Sequence, residues 1–280
     1  MILERLTLKG KTAIVSGAGG GGIGTTTCLA LAEAGANIVA VDIFQDRLQD
    51  TEQRVKALGR ECLGVIADLT KRSDIQNAVA QGVKKFGAIH CVANVAGGMR
   101  PDERGELENF PEDKFDHVVA MNLKYIYMMN QAVAKHMIEK AIPGTMASVA
   151  SVSGVGGAAY HAPYGAAKAG LIAITKSMAV EWGVYGIRVN ALAPGAVKTP
   201  RAVAGNTVDM DTRAKTTIPI GRACEPDEIA AGLLFLLSPL ASAISGHTLV
   251  VDGGATSKFA FGGPNDKHAS RSNIREAPRP

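Results

Sequence analysis

Tyr164-Gly165-Ala166-Ala167-Lys168 opens a long helical pattern. Residues four apart share a helix face one turn from each other, so the phenol and the ammonium are expected side by side. A nearby ammonium favours the phenolate and draws a group with an ordinary pKa of about 10 toward working pH. Such a tyrosine can give a proton to a ketone oxygen, or take one from an alcohol, while hydride moves to or from a nicotinamide. Tyr-x-x-x-Lys occurs once, although the chain has five tyrosines. The pattern is short enough to arise by chance, so its weight depends on the elements that position it.

The second chemical feature is the run Ser16-Gly17-Ala18-Gly19-Gly20-Gly21-Gly22-Ile23-Gly24. It follows the first apolar segment and opens the first helical one. Glycines there let the backbone turn sharply and approach a pyrophosphate, whose charge meets the free N–H groups of a helix start. The spacing GxGxxG can be read from Gly17 or from Gly19, so the context of strand and helix carries the argument. A plain flexible loop is the alternative. Asp42 ends the second apolar run, 20 residues beyond Gly22. A carboxylate there accepts hydrogen bonds from ribose hydroxyls and repels a 2′-phosphate, which favours NAD over NADP. Arg47 complicates that choice, since a nearby arginine accommodates a phosphate; one turn into the next helix, it is expected to point to solvent.

Short apolar runs recur at Thr12–Val15, Asn37–Val41, Cys62–Ala67, Ile89–Ala93, Thr145–Ala150, Arg188–Leu192 and His247–Val251. Most are nearly continuous, as in strands covered on both faces. Helical patterns lie between them at 24–34, 45–58, 73–86, 112–139, 161–182 and 226–237. This alternation predicts an α/β fold: a single, doubly wound parallel sheet, Rossmann-like, of about seven strands flanked by helices. Ser73 is expected to cap the third helix, and Pro226-Asp227-Glu228 to form a rigid acidic first turn of the last. The stretches Gly97–Pro111 and Pro200–Gly221 read as pocket-wall loops, the second as a lid. Residues 1–254 form the expected catalytic domain, and 255–280 an irregular tail.

Composition narrows the function classes. Of 280 residues, 46% are hydrophobic and 20% charged, and no apolar run would span a bilayer. The net charge of +4 falls mostly in the tail, which has five basic residues against two acidic ones after Asp252. The body is near neutral, so neither nucleic acid nor membrane is expected as a partner. Cys28, Cys62, Cys91 and Cys224 are scattered, Met1 to Thr12 lacks the apolar core of a secretory leader, and a cytoplasmic location is expected. No His, Cys, Asp and Glu cluster has metal-ligand spacing. His90 and His117 read as packing residues, His161 as either pocket-lining or surface, and Met121, Met128, Met129 and Met137 as core or interface.

Taken in chain order, these features resemble the short-chain dehydrogenase/reductase family, from about Leu8 to Gly254. Gly22-Ile23-Gly24 resembles its coenzyme loop, and Asp68-Leu69 the acidic pair-member that contacts adenine. Asn94-Val95-Ala96-Gly97 is similar to its Asn-Asn-Ala-Gly, with Val at the second place. Asn122 matches the helix asparagine of its proton relay. Ser151, thirteen residues before Tyr164, matches the catalytic serine that bonds the substrate oxygen. Pro194-Gly195-Ala196-Val197-Lys198-Thr199 matches the segment meeting the nicotinamide carboxamide, with Val197 offering backbone and Thr199 its hydroxyl. Lys168 would also hold the nicotinamide ribose. One departure stands out: four residues, Ala18 to Gly21, separate Gly17 from Gly22, where the family usually has three. It leaves open which of Gly19, Gly20 and Gly21 abuts the pyrophosphate.

The resemblance implies an NAD-dependent alcohol dehydrogenase or ketone reductase with a small-molecule alcohol or ketone substrate. It also implies a homo-oligomer, a dimer or a homotetramer, packed through the 112–139 and 161–182 helices. Two other readings remain: an NADPH-dependent 3-oxoacyl-thioester reductase, and a catalytically silent NAD-binding regulatory subunit.

Overall fold

Each of the seven apolar runs forms a strand in the computed structural model, which describes residues 1–205 and 208–257. The strands are β1 (Thr12–Ser16), β2 (Asn37–Asp42), β3 (Cys62–Ile66), β4 (Cys91–Asn94), β5 (Gly144–Val149), β6 (Ile187–Pro194) and β7 (Thr248–Val251). All pair in parallel, in the order β3-β2-β1-β4-β5-β6-β7. Side chains alternate across this sheet, so neighbours in one strand enter different cores. Ala13 and Val15 join Leu31 of α1 (Ile23–Glu33) and Leu233 of α9 (Pro226–Leu237). Ile14 faces the other way with Ile75 of α3 (Arg72–Phe86) and Leu171 of α6 (Ala162–Trp182). With both faces covered, continuous apolar strands are what burial requires. The remaining sheet helix, α2 (Gln45–Ala57), follows β2.

Strand order reverses between β1 and β4, and ligands in open α/β sheets bind at such a switch point. Ser16 and Asn94, the last residues of these strands, pair in register there. The positions singled out for chemistry follow β1, β2, β3, β4, β5 and β6, all at the same carboxyl edge of the sheet.

Several expectations need correction. The helix expected over 112–139 is two helices, α4 (Glu112–Val119) and α5 (Tyr125–Glu139), joined by a π-helical turn at Ala120–Lys124. Asn122 sits in that widened turn; its Nδ2 donates to Val118 O at 2.9 Å and to Gly98 O at 2.8 Å. Such π turns occur mostly where an α-helix carries function. The third helix begins at Arg72 with Lys71 as its cap, and Ser73 instead donates to Asp74 Oδ1 at 3.2 Å. Asp74 is used to close the preceding turn, accepting from Asp68 N at 3.0 Å. The Pro226 turn forms as expected, with Glu225 and Glu228 completing a capping box.

The stretch Pro200–Gly221 contains two short helices, α7 (Pro200–Ala204) and α8 (Met210–Thr217). Thr199 caps the first by accepting from Ala202 N at 3.2 Å, and Asp209 caps the second through Thr212 N at 2.8 Å. Lys198 ties α8 to the start of α9, with Nζ 2.7 Å from both Asp211 and Glu225. Of the predicted tail, Ala255–Ser257 form a 3-10 turn; residues 258–280 lie outside the described ones.

Candidate active site

The glycine run forms a cradle that side chains would fill. Gly17 adopts φ +70°, and a Cβ there would lie 2.6 Å from Ala96 N. A Cβ on Gly24 would lie 1.8 Å from Gly17 O, so the helix start and the loop touch backbone to backbone. The longer loop uses its additional amides internally: Gly19 N donates to Asp42 Oδ2 at 2.9 Å, and Gly21 N to Thr25 Oγ1 at 3.1 Å. Gly22 is the helix cap and has no side chain to bond the first turn. The amides of Ile23 and Gly24 therefore point out of the helix start without intrahelical partners. That arrangement fits a pyrophosphate.

Asp42 closes one end of the cleft, its Oδ1 accepting from Ile43 N at 2.8 Å. Each carboxylate oxygen can accept two bonds, so Oδ2 keeps capacity beyond Gly19. Arg47 is exposed, as expected, but its guanidinium lies 4.2 Å from the centre of the Phe44 ring and runs along the glycine loop. Asp68 lines the same end, with Oδ1 accepting from the Thr70 hydroxyl at 2.7 Å, while Leu69 is buried beside it. The cleft, about 570 Å³, runs from Asp42 and Asp68 past Gly17 and Gly97 to Met121 and Arg201.

Ser151 follows β5, and Tyr164 lies in the first turn of α6. Ser151 accepts from Ser153 N at 3.1 Å, which fixes its hydroxyl at the strand end. Burial raises the Tyr164 phenol above its ordinary value, while the Ser151 hydroxyl and the Arg201 charge pull it down. Lys168 is buried, with Nζ 5.6 Å from the Tyr164 ring centre and donating to Val149 O at 2.7 Å. Burial lowers its ammonium to about 7. A Cβ on Gly97, at φ +145°, would meet Asn122 Oδ1 at 2.7 Å and Lys168 Nζ at 3.6 Å. Asn122, Gly97 and Lys168 thus meet at one point. Asn122 Oδ1 also accepts from Gly98 N at 2.8 Å, so this amide pins the loop after β4 at both backbone groups.

The segment after β6 runs toward the glycine loop. Gly195 N donates to Val251 O at 3.0 Å, just past Pro194 at the end of β6, and Val197 forms a bridge to Cys224. Thr199 approaches the glycine loop, where a Cβ on Gly22 would lie 3.6 Å from its side chain. Asn94 is different from its expected place. Its side chain is fully buried beneath the cleft, with Nδ2 donating to Asn130 Oδ1 at 2.8 Å and Ser148 Oγ at 3.0 Å. It braces β4 against β5 and α5. Ala96 and Gly97, which follow, do line the cleft.

One group had no reading from sequence and another had a different one. Tyr125, buried beneath the floor, donates to Ala96 O at 2.6 Å, and burial raises its phenol. His117, expected to pack, instead lines the cleft with Nδ1 2.5 Å from the buried Glu103 carboxylate. His161 stays half-buried, its Nδ1 2.8 Å from Ala159 O. Among the described residues, no three His, Cys, Asp or Glu are grouped to hold a metal, and no helix is long and apolar enough to cross a membrane.

A glycine cradle at the switch point and a Ser–Tyr–Lys cluster beside it mark a class of protein, and comparison with known sequences agrees. A family profile described as enoyl-(acyl carrier protein) reductase matches residues 17–256. The chain belongs to the short-chain dehydrogenase/reductase family, whose members are oxidoreductases that bind a nicotinamide cofactor. It is 35% identical over 260 residues to 2-dehydro-3-deoxy-D-gluconate 5-dehydrogenase of Escherichia coli (strain K12), covering 91% of this chain and 98% of that one. It is 34% identical to a 3-oxoacyl-[acyl-carrier-protein] reductase of Thermotoga maritima, covering 89% and 99%. Among solved structures, 7α-hydroxysteroid dehydrogenase complexed with NADH and 7-oxo glycochenodeoxycholic acid superposes with a TM-score of 0.84. Its identity is 29%, and the match covers 90% of this chain and 96% of that one.

Proposed function

We propose that the protein is an NAD(H)-dependent dehydrogenase that interconverts a secondary alcohol and its ketone. The observation that carries this reading is the convergence of Ser151, Tyr164 and Lys168 beside Gly97, which lines a cleft whose far end presents Asp42. The nicotinamide, when bound, supplies or takes up the hydride. In the oxidative direction Tyr164 takes the carbinol proton and Ser151 Oγ holds the oxygen from which it leaves. Lys168 Nζ, near both Gly97 and the Tyr164 ring, holds the nicotinamide ribose. The phenol is raised by burial against the pull of Ser151 and Arg201, and the ammonium is lowered by burial alone, so the pull of Lys168 on the phenol expected from sequence is not among the causes of either shift. Asn122, locked to Gly98, supports a water path to solvent.

Gly17, Gly22, Ile23 and Gly24 face the pyrophosphate in this reading, Asp42 the adenosine ribose, and Asp68 and Leu69 the adenine. Ala96 and Gly97 meet the cofactor from β4, and Pro194, Gly195, Val197 and Thr199 border the carboxamide. Asn94 shapes that wall from below. The buried, unpaired cysteines support a cytoplasmic location. Exposed Ala166, Ala169 and Val180 on α6 and Phe115 on α4 support a homo-oligomer. Light scattering is expected to give two or four chains, and a monomer at micromolar concentration would remove that assignment.

A second reading, an NADPH-dependent 3-oxoacyl-thioester reductase, draws support from Arg47 along the glycine loop and from the printed activity of the Thermotoga maritima relative. Fluorescence titration separates the two. NADH is expected to bind more tightly than NADPH, and Asp42→Ala to weaken NADH by roughly 10-fold or more, as for a lost charged hydrogen bond. Tighter binding of NADPH by the unaltered protein would overturn the NAD assignment. Tight NAD binding without turnover across a panel of secondary alcohols would favour a silent regulatory subunit.

A further inference from the structure

The substrate end of the cleft carries more positive charge than the chemistry above uses. Arg201, the second residue of α7, turns its guanidinium back over the loop that follows β4. Its Nη2 donates to Met99 O at 2.5 Å, and a Cβ on Gly98 would lie 2.8 Å from Nη2 and 3.4 Å from Cζ. The guanidinium is near enough to Tyr164 to favour its phenolate. Within the same segment, Thr199 and Pro200 are the residues that reach the glycine loop, at 3.6 and 3.7 Å from Cβ positions on Gly22 and Gly21. Arg201 therefore stands on the substrate side, not on the pyrophosphate side.

Arg100 lines the same wall, its side chain largely exposed. Nη2 contacts His117 Nε2 at 3.1 Å. A guanidinium only donates, so Nε2 accepts, while Nδ1 of the same ring lies against Glu103. Glu103 lies against this ring, accepts from Arg100 N at Oε2, 2.7 Å away, and pairs with the Arg100 guanidinium, whose Nε is 4.0 Å from Oε1. The buried carboxylate thus positions Arg100 and does not neutralise Arg201. Among the described residues no carboxylate pairs with Arg201, which is held by one carbonyl and keeps most of its planar fork of donors for a ligand.

We propose that Arg201, with Arg100 beside it, anchors a carboxylate on the substrate, so that the protein acts on hydroxy acids and the matching oxo acids. The proposal rests on the oxidoreductase reading above and names its substrate class. A guanidinium fork pairs a carboxylate with two parallel charged hydrogen bonds. A site built for such a group discriminates against an analogue that cannot make them, because its own donors are left unpaired.

The test compares short oxo acids with their methyl esters, using NADH as reductant, in the unaltered protein, Arg201→Gln and Arg201→Lys. The acids are expected to be preferred, and the acid-to-ester ratio of kcat/KM to fall roughly 10- to 100-fold in R201Q, mainly through KM, with partial recovery in R201K. Loss of the guanidinium also removes a charge that stabilises the phenolate, so the alkaline limb of alcohol oxidation should move to higher pH. An unchanged acid-to-ester ratio, or a loss confined to NADH affinity, would overturn the proposal and give Arg201 to the cofactor phosphates. Should no ketone turn over, binding of the acids to the NADH complex decides. Acids that bind the unaltered complex but not R201Q sustain the carboxylate site and sink the oxidoreductase reading; acids that bind neither sink the site.

Discussion

Replacing Tyr164 with Phe is expected to lower turnover by roughly 10²- to 10⁴-fold, the usual worth of a positioned proton-transfer group, with NADH affinity changed by no more than about threefold. The ring is retained, so the packing of the first turn of α6 persists, and Lys168 keeps its bond to Val149 O. What disappears is the phenol beside Ser151. The serine hydroxyl stays in place but is far too weak a base to take the carbinol proton unaided. The pH profile supplies a second check. Burial holds the phenol above its ordinary value, so oxidation, which uses the phenolate, should climb through the alkaline range. Reduction uses the phenol and should run best at neutral pH, falling as pH rises. Initial rates by absorbance and NADH titration by fluorescence measure both; more than a tenth of the original turnover in Y164F would remove Tyr164 from the chemistry.

Gly24→Ala is expected to abolish measurable cofactor binding and to destabilise the fold by about 1–3 kcal/mol or more. Helix propensity alone predicts the opposite sign, since Ala is favoured over Gly inside a helix by about 1 kcal/mol. The clash decides. A Cβ at this position lies 1.8 Å from Gly17 O and 2.7 Å from Gly17 C, and neither is a flexible side-chain end. Either α1 or the loop must move, and both form the cradle. Gly183→Ala is the matched control, because its φ is −57° and an added Cβ meets nothing within 4 Å. Urea unfolding should show G183A unchanged or slightly more stable and G24A clearly weaker. Equal stabilities for the two would contradict the backbone contact.

The placement of both residues in the fold was legible in the sequence, and the reason is local. Gly24 lies in the first turn of the helix that follows β1, and Tyr164 lies four residues from Lys168 within one helix, so neighbours along the chain define their surroundings. The inner strands were legible because burial on both faces leaves no room for polar alternation, and the edge strands β3 and β7, though partly exposed, carry the same apolar runs. The failures have the opposite character. An asparagine at a strand end looks the same whether it faces the cleft or, like Asn94, braces Asn130 and Ser148 below it. The π turn at Ala120–Lys124 accompanies a clamp between Asn122 and Gly98, 24 residues away. Glu103 and His117 meet across a loop, with no periodicity to announce them. The helices α7 and α8 carried caps at Thr199 and Asp209, yet their few apolar residues gave no helical stripe.

The bond from Gly19 N to Asp42 has a consequence for anyone redesigning this protein. Asp42 reads as a selector at the ribose, and the obvious route to a changed coenzyme preference is to replace it with a small or basic residue. The same carboxylate is also the latch of the glycine loop, with Oδ2 on Gly19 and Oδ1 on the turn that starts α2. An exchange at this site therefore alters two traits at once, and a fall in affinity for both coenzymes would report a loosened loop and not a failed switch. Asp42→Asn keeps an acceptor while removing the charge, and so separates the latch from the selector. A successful redesign has to supply Gly19 with a substitute acceptor before it supplies a phosphate with a partner.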